Sequence, residues 1–118
     1  MKKAEKTTDN LILVVDDNPV VVKLIAAMLE REGFAVQTAA SGQGLLDLLA
    51  DIQPDLILLD IDMPGISGIE TCRRIKADPQ RQEIPILFVT ASNDKEHIIA
   101  GFAAGAQDYI VKPSTKEE

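Results

Sequence analysis

Short apolar runs alternate along this chain with stretches whose apolar residues recur every three or four positions. Leu11–Val15 is continuously apolar and partly β-branched, which predicts a central strand covered on both faces. Asn18-Pro19 then supplies an N-cap and a proline for the first helical position. Val21, Leu24, Ile25, Met28 and Leu29 follow at helical spacing, and Gly33 marks the stop. Phe34–Thr38 reads as a second strand, and Ser41 caps a helix to about Ala50 with Leu45, Leu48 and Leu49 inward. Pro54 breaks the chain before a third strand, Asp55–Asp60. A Met63-Pro64-Gly65 turn and the capping-box pattern Ser67 to Glu70 then open a third helix to about Ala77. Pro85 opens a fourth strand ending near Thr90. Asn93 to Glu96 starts a fourth helix with Ile98, Ile99, Phe102 and Ala103 as its buried candidates, and Gly105 ends it before a fifth strand, Tyr109–Val111.

Strands alternating with helices across short loops predict an α/β fold, a doubly wound parallel sheet of five strands and four helices with right-handed crossovers. In such a sheet the strands' carboxyl ends share one edge, where open α/β sheets place their sites. Three of these strands end at chemically loaded residues: Asp16-Asp17, Asp60 and Lys112-Pro113. Three carboxylates and an ammonium should therefore converge.

Composition narrows what such an edge can serve. The 118 residues allow one domain, and a formal net charge of −7 disfavours nucleic acid phosphate or an anionic membrane as direct partners. With three Phe, one Tyr and no Trp there is little surface for stacking bases, and the core should be aliphatic. The lone Cys72 can form no internal disulfide, and no stretch has the length of a membrane span or a signal-peptide layout, which points to the cytoplasm. Cys72 falls inside a helix pattern and His97 on an early helical turn; neither is assigned a function. Arg73, Arg74 and Lys76 read as the wet face of the third helix.

Carboxylates forced together raise one another's pKa unless a cation sits among them. Mg²⁺ resolves that conflict, since it accepts a few carboxylates, keeps several waters and takes phosphate oxygens as ligands. An ionised aspartate beside it can attack a phosphoryl group in line, with Lys112 neutralising charge on the transferring oxygens.

The ordered set Asp16-Asp17, Leu58-Leu59-Asp60-Ile61-Asp62-Met63-Pro64-Gly65, Val89-Thr90-Ala91 and Lys112-Pro113 resembles the receiver domain of bacterial response regulators, over Leu11 to Pro113. The resemblance implies the flavodoxin-like strand order 2-1-3-4-5. It implies that Asp60 takes a phosphoryl group from a phosphohistidine on a sensor histidine kinase or histidine phosphotransfer protein. Asp16, Asp17 and Asp60 would bind Mg²⁺ together with the backbone carbonyl of Asp62. Lys112 would pair with the phosphoryl group, Thr90 would donate a hydroxyl hydrogen bond to it, and Tyr109 would be the aromatic switch residue. Ala91 would keep the approach narrow, and the peptide before Pro113 would be cis. The signal would pass by contact to an unknown effector.

Alone, an Asp-Asp pair reads as a solvated loop, a strand-end Thr as a cap, and Lys-Pro as a turn; only their order makes a site. Asp60-Ile61-Asp62 also resembles the Asp-x-Asp pair of haloacid-dehalogenase-type phosphatases, although there the motif ends the first strand. A pseudo-receiver that only binds partners is a third reading. The resemblance further implies an aromatic residue and a fifth helix after Lys-Pro. Here Ser114 stands in the aromatic's place within a polar tail, 114–118, and residues 1–10 read as a disordered leader. Two expectations follow: the chain is a fragment of a longer regulator or hybrid kinase, or its core is completed by pairing as a homodimer.

Overall fold

The structure is a computed structural model that describes residues 10–91 and 95–112. Nine elements alternate: β1 (Leu11–Val15), α1 (Pro19–Arg31), β2 (Ala35–Ala39), α2 (Gly42–Leu49), β3 (Leu56–Leu59), α3 (Gly68–Lys76), β4 (Ile86–Thr90), α4 (Lys95–Ala103) and β5 (Asp108–Val111). All strand pairs are parallel and the order is β2-β1-β3-β4-β5, the flavodoxin-like arrangement expected from the sequence. The leader other than Asn10, the tail, Pro113 with its peptide, and Asn93 and Asp94 of the expected helix start lie outside the described residues. No helix among the described residues is long and apolar enough to cross a membrane.

Local signals account for the helix starts. The Asn18 side chain accepts from the N–H groups of Val20 and Val21, Ser41 Oγ from that of Gly44, and Ser67 Oγ from that of Glu70, each supplying a partner that the first turn lacks. From β1 the chain steps one way to β2 and then back across to β3, β4 and β5. Right-handed crossovers taken in opposite directions put the connecting helices on opposite faces. Accordingly, among the described residues α1 is the helix on one face, where Ile25 and Leu29 meet Ile12, Val14 and Leu58. On the other face Leu45, Leu49, Cys72 and Ile75 from α2 and α3 meet Leu13, Val15, Ile57, Leu59 and Phe88, the larger core.

Two helix faces differ from the periodicity reading. In α1, Ile25 and Leu29 pack as expected, but Leu24 and Met28 are exposed together with Val20. In α4, Ile99, Phe102 and Ala103 turn outward, and the buried position is Gly101. Both helices are apolar nearly all round, so spacing defines a face without saying which one the sheet takes.

Candidate functional site

Register builds the site. Val15 and Leu59 are partners across β1 and β3, and the N–H of Asp60 donates to the Val15 carbonyl at 3.0 Å, so Asp16 and Asp60 leave the sheet side by side. The ladder continues past the strand ends: Asp16 N–H donates to Ala39 O at 3.2 Å and Lys112 N–H to Thr90 O at 2.7 Å. Three of the expected residues are thus held by backbone hydrogen bonds rather than by loop packing.

Their side chains converge. Lys112 Nζ lies 2.6 Å from Asp16 Oδ2 and 3.7 Å from Asp60 Oδ1. The other Asp16 oxygen, Oδ1, accepts the N–H of Asn18 at 3.0 Å, a contact that turns the residue read as a helix cap into a clamp on the site. Asp16 and Asp60 are 3% and 6% exposed, while Asp17 is open to solvent. One oxygen from each of Asp16, Asp17 and Asp60 falls within 4.8 Å of the others.

The charge is unbalanced. A single ammonium cannot neutralise three carboxylates, and the remainder matches one divalent cation. Asp60 carries the consequence: its pKa rises from 3.8 to about 6, chiefly through burial and then the Asp16 charge, with Lys112 pulling it down and Asp17 and Asp62 pushing it up. The donors are all carboxylate oxygens, a hard set open to solvent on the Asp17 side. Such a set fits Mg²⁺, which tolerates few protein ligands and retains waters. The chain's single cysteine and single histidine sit elsewhere. Cys72 is buried beside the Ala104 carbonyl with its thiol pushed up to about 11 by burial, against the pull of Lys76 and Arg73, and His97 is half-buried on α4.

Gly68 is a site residue that sequence reasoning saw only as part of a helix start. Its N–H donates to Ile61 O at 2.8 Å, and a Cβ placed on it would overlap the carbonyl oxygen of Asp60. Only glycine lets α3 begin this close to the acidic residue. A glycine at the second position of a capping box is a weak signal, because propensity alone disfavours it there without saying what it touches.

Other expected residues are distributed as follows. Thr90 is fully buried at the end of β4, one strand from Asp60. Asp62 and Ala91 are exposed on the loops after β3 and β4. Tyr109 is half-buried on the α4 side of the sheet, its ring centroid 6.1 Å from that of Phe102 in an edge-to-face arrangement, so it stands apart from the acidic cluster.

Residues 12–118 match the family model described as the response regulator receiver domain. The chain belongs to that family. This receiver domain is 43% identical over 102 residues to the transcriptional regulatory protein AfsQ1 of Streptomyces coelicolor, covering 86% of this chain and 44% of AfsQ1. It therefore spans less than half the length of that curated relative. Among solved structures, the chemotaxis protein CheY4 of Vibrio cholerae superposes with a TM-score of 0.84 at 30% identity, over 90% of this chain and 88% of that one. The response regulator TrrA of Thermotoga maritima, in complex with Mg²⁺-BeF, gives 0.79 at 34% identity, over 90% and 89%. The receiver domain is a signalling module of two-component regulators, and its acidic cluster sits beside the point where strand order reverses between β1 and β3.

Proposed function

We propose that this receiver domain is a phosphorylation-driven switch whose acceptor is Asp60. The observation that carries the reading is the placement of a nearly buried carboxylate at the end of β3, 3.7 Å from the Lys112 ammonium and beside two further carboxylates. An Asp60 oxygen attacks the phosphorus of a phosphohistidine. The new O–P bond forms as the P–N bond breaks, and the imidazole leaves with the electron pair. Asp16, Asp17 and Asp60, with the Asp62 carbonyl, would hold Mg²⁺, which when bound supplies charge neutralisation for the phosphoryl oxygens. That TrrA is in complex with Mg²⁺-BeF supports Mg²⁺ as the cation.

Lys112 is placed to change partners, leaving Asp16 for a phosphoryl oxygen on Asp60, and Thr90 supplies a hydroxyl on the neighbouring strand. Phosphate shifts the conformational population only as far as it bonds better in one arrangement, and these two residues provide that difference. Tyr109 is the aromatic that answers it. The domain catalyses only its own phosphorylation and dephosphorylation. The donor is a sensor histidine kinase or a histidine phosphotransfer protein in the cytoplasm, a reading supported by a single buried thiol and no disulfide. The output passes to an effector segment or partner, in keeping with a relative that is a transcriptional regulatory protein of about twice this length. The sheet face beside α1, with Leu87 and Val89 half-buried and Ile110 exposed, supports pairing of two copies; light scattering that finds a monomer at high concentration counts against it.

Intact mass after brief exposure to acetyl phosphate tests the acceptor. One phosphoryl increment that requires both Mg²⁺ and Asp60 is expected, and an increment that persists in Asp60→Asn sinks the assignment.

A further inference from the structure

Helix α2 begins at a bare position. Gly42 follows the Ser41 cap and is buried, although glycine is a poor residue for a helix of eight. A Cβ on Gly42 would overlap Thr71 Oγ1 and stand 3.2 Å from the Ile66 carbonyl oxygen. One on Gly44, two residues on, would meet only Ser41 Oγ at 3.2 Å and the Ala39 side chain at 3.6 Å. The first glycine thus rests on α3 and on the loop after β3, whereas the second faces its own cap and the strand before it.

Thr71 has little freedom to step aside. It is fully buried, and its hydroxyl donates to the Ser67 carbonyl at 2.7 Å. Turning χ1 would break that bond, and a helix restricts the rotamers of a β-branched side chain. Ser67 in turn caps α3, its Oγ accepting the Glu70 N–H, and next to it Gly68 stands against the Asp60 carbonyl with its N–H on Ile61 O. The first turn of α3 is therefore set by two elements: the end of β3 through Gly68, and α2 through Thr71. The loop that joins them, Ile61 to Ile66, carries Asp62.

We propose that Gly42 is a positioning residue for the metal site, acting through Thr71 and Ile66. Because it carries no side chain, α3 and the loop before it settle at the distance from Asp60 that Mg²⁺ requires. The proposal rests on the assignment of Asp16, Asp17, Asp60 and the Asp62 carbonyl to Mg²⁺. It extends that assignment to a helix that contributes no ligand.

Mg²⁺ alone is the probe, titrated into unphosphorylated protein and followed through backbone amide shifts. Groups that orient metal ligands typically cost tenfold or more in affinity when disturbed, so Gly42→Ala is expected to weaken Mg²⁺ binding on the order of tenfold. Gly44→Ala, the same substitution on the same helix, should leave the affinity unchanged. Thr71→Ala added to Gly42→Ala deletes the oxygen that the new methyl meets and should restore most of the affinity. Urea unfolding separates the roles: a residue that only packs would lower stability and leave the folded protein's Mg²⁺ affinity where it was. Parental affinity in folded Gly42→Ala, equal weakening by Gly44→Ala, or a double variant no better than Gly42→Ala would each overturn the proposal. Should Gly42→Ala fail to fold, Thr71→Ala is compared with the double variant; the added methyl should then tighten Mg²⁺ binding, and weakening would overturn the proposal. A parent protein that binds no Mg²⁺ is a different failure, which would overturn the site assignment and the proposal with it.

Discussion

At the centre of the sheet, β1 and β3 carry Leu13, Ile57 and Leu59 with no exposure, whereas at its edge β5 leaves Ile110 50% and Val111 40% exposed. Asp16 and Asp60 hang from the central pair, each held by a backbone hydrogen bond to an adjoining strand. The single ammonium arrives from the edge strand, reaching from Lys112 across to Asp16. A rigid centre keeps the carboxylates in place for chemistry, and a loosely packed edge can move when the charge among them changes. The ion pairs of Lys112 with Asp16 and Asp60 span the two regions and are the link through which such a change would be felt.

The largest test of that division is Asp60→Asn. Phosphoryl uptake should vanish while the fold gains stability, because the substitution removes a carboxylate whose burial Lys112 only partly compensates. The folded-state pKa of about 6 lies above the ordinary 3.8, so the folded chain holds an extra proton between these values. Its stabilisation is complete below the unfolded value and is lost as pH rises through about 6. Without divalent cation at pH 8, Asp60→Asn should therefore be more stable than the parent by about 2–3 kcal/mol, a gain that disappears near pH 3.5. Urea unfolding at the two pH values measures it, and an equal gain at both would refute this cause.

Gly68→Ala should leave the central strands folded yet displace the start of α3 from the Asp60 carbonyl. A misplacement of this kind is expected to slow uptake from acetyl phosphate by on the order of a hundredfold. Normal uptake by a folded variant would show that the close approach is incidental.

The packing contrast is broken directly by truncation. Leu13→Ala should cost about 3 kcal/mol in urea unfolding, whereas Ile110→Ala on β5 should cost less than about 1 kcal/mol. Similar losses would erase the distinction between centre and edge.

Lys112→Ala probes the link with a smaller effect. Lys112 lowers the Asp60 pKa, so its removal should move the carboxyl's titration, followed by NMR of the side-chain carbon, upward from about 6. A downward movement would mean that Lys112 serves Asp16 alone. Thr90→Ala should keep most of the phosphoryl uptake while abolishing any phosphate-dependent change in Tyr109 emission, and a retained change would remove Thr90 from the switch.

Much of this was open to inspection in the residues alone. Strand runs that end at Asp16, Asp60 and Lys112 are readable because a parallel sheet puts every carboxyl end on one edge, and order along the chain suffices to know it. The helix starts at Asn18, Ser41 and Ser67 are readable because capping acts within four residues. The inner face of α4 was not. Ile98, Ile99, Phe102 and Ala103 satisfy a helical stripe, yet the sheet takes Gly101, since the Phe88 ring occupies the space a larger residue would need. The outward Leu24 and Met28 of α1 have the same origin, two apolar faces competing for one surface.

Local sequence thus determined where elements begin and end, and which chemistry stands at the strand ends, because turns, caps and strand patterns are short-range properties. Tertiary structure alone decided that Lys112 spends its charge on Asp16, 96 positions away, that Gly68 must make room for Asp60, and that Phe102 meets Tyr109. Each of these is a contact between elements whose distance is set by packing, and no periodicity along one segment encodes what lies across from it.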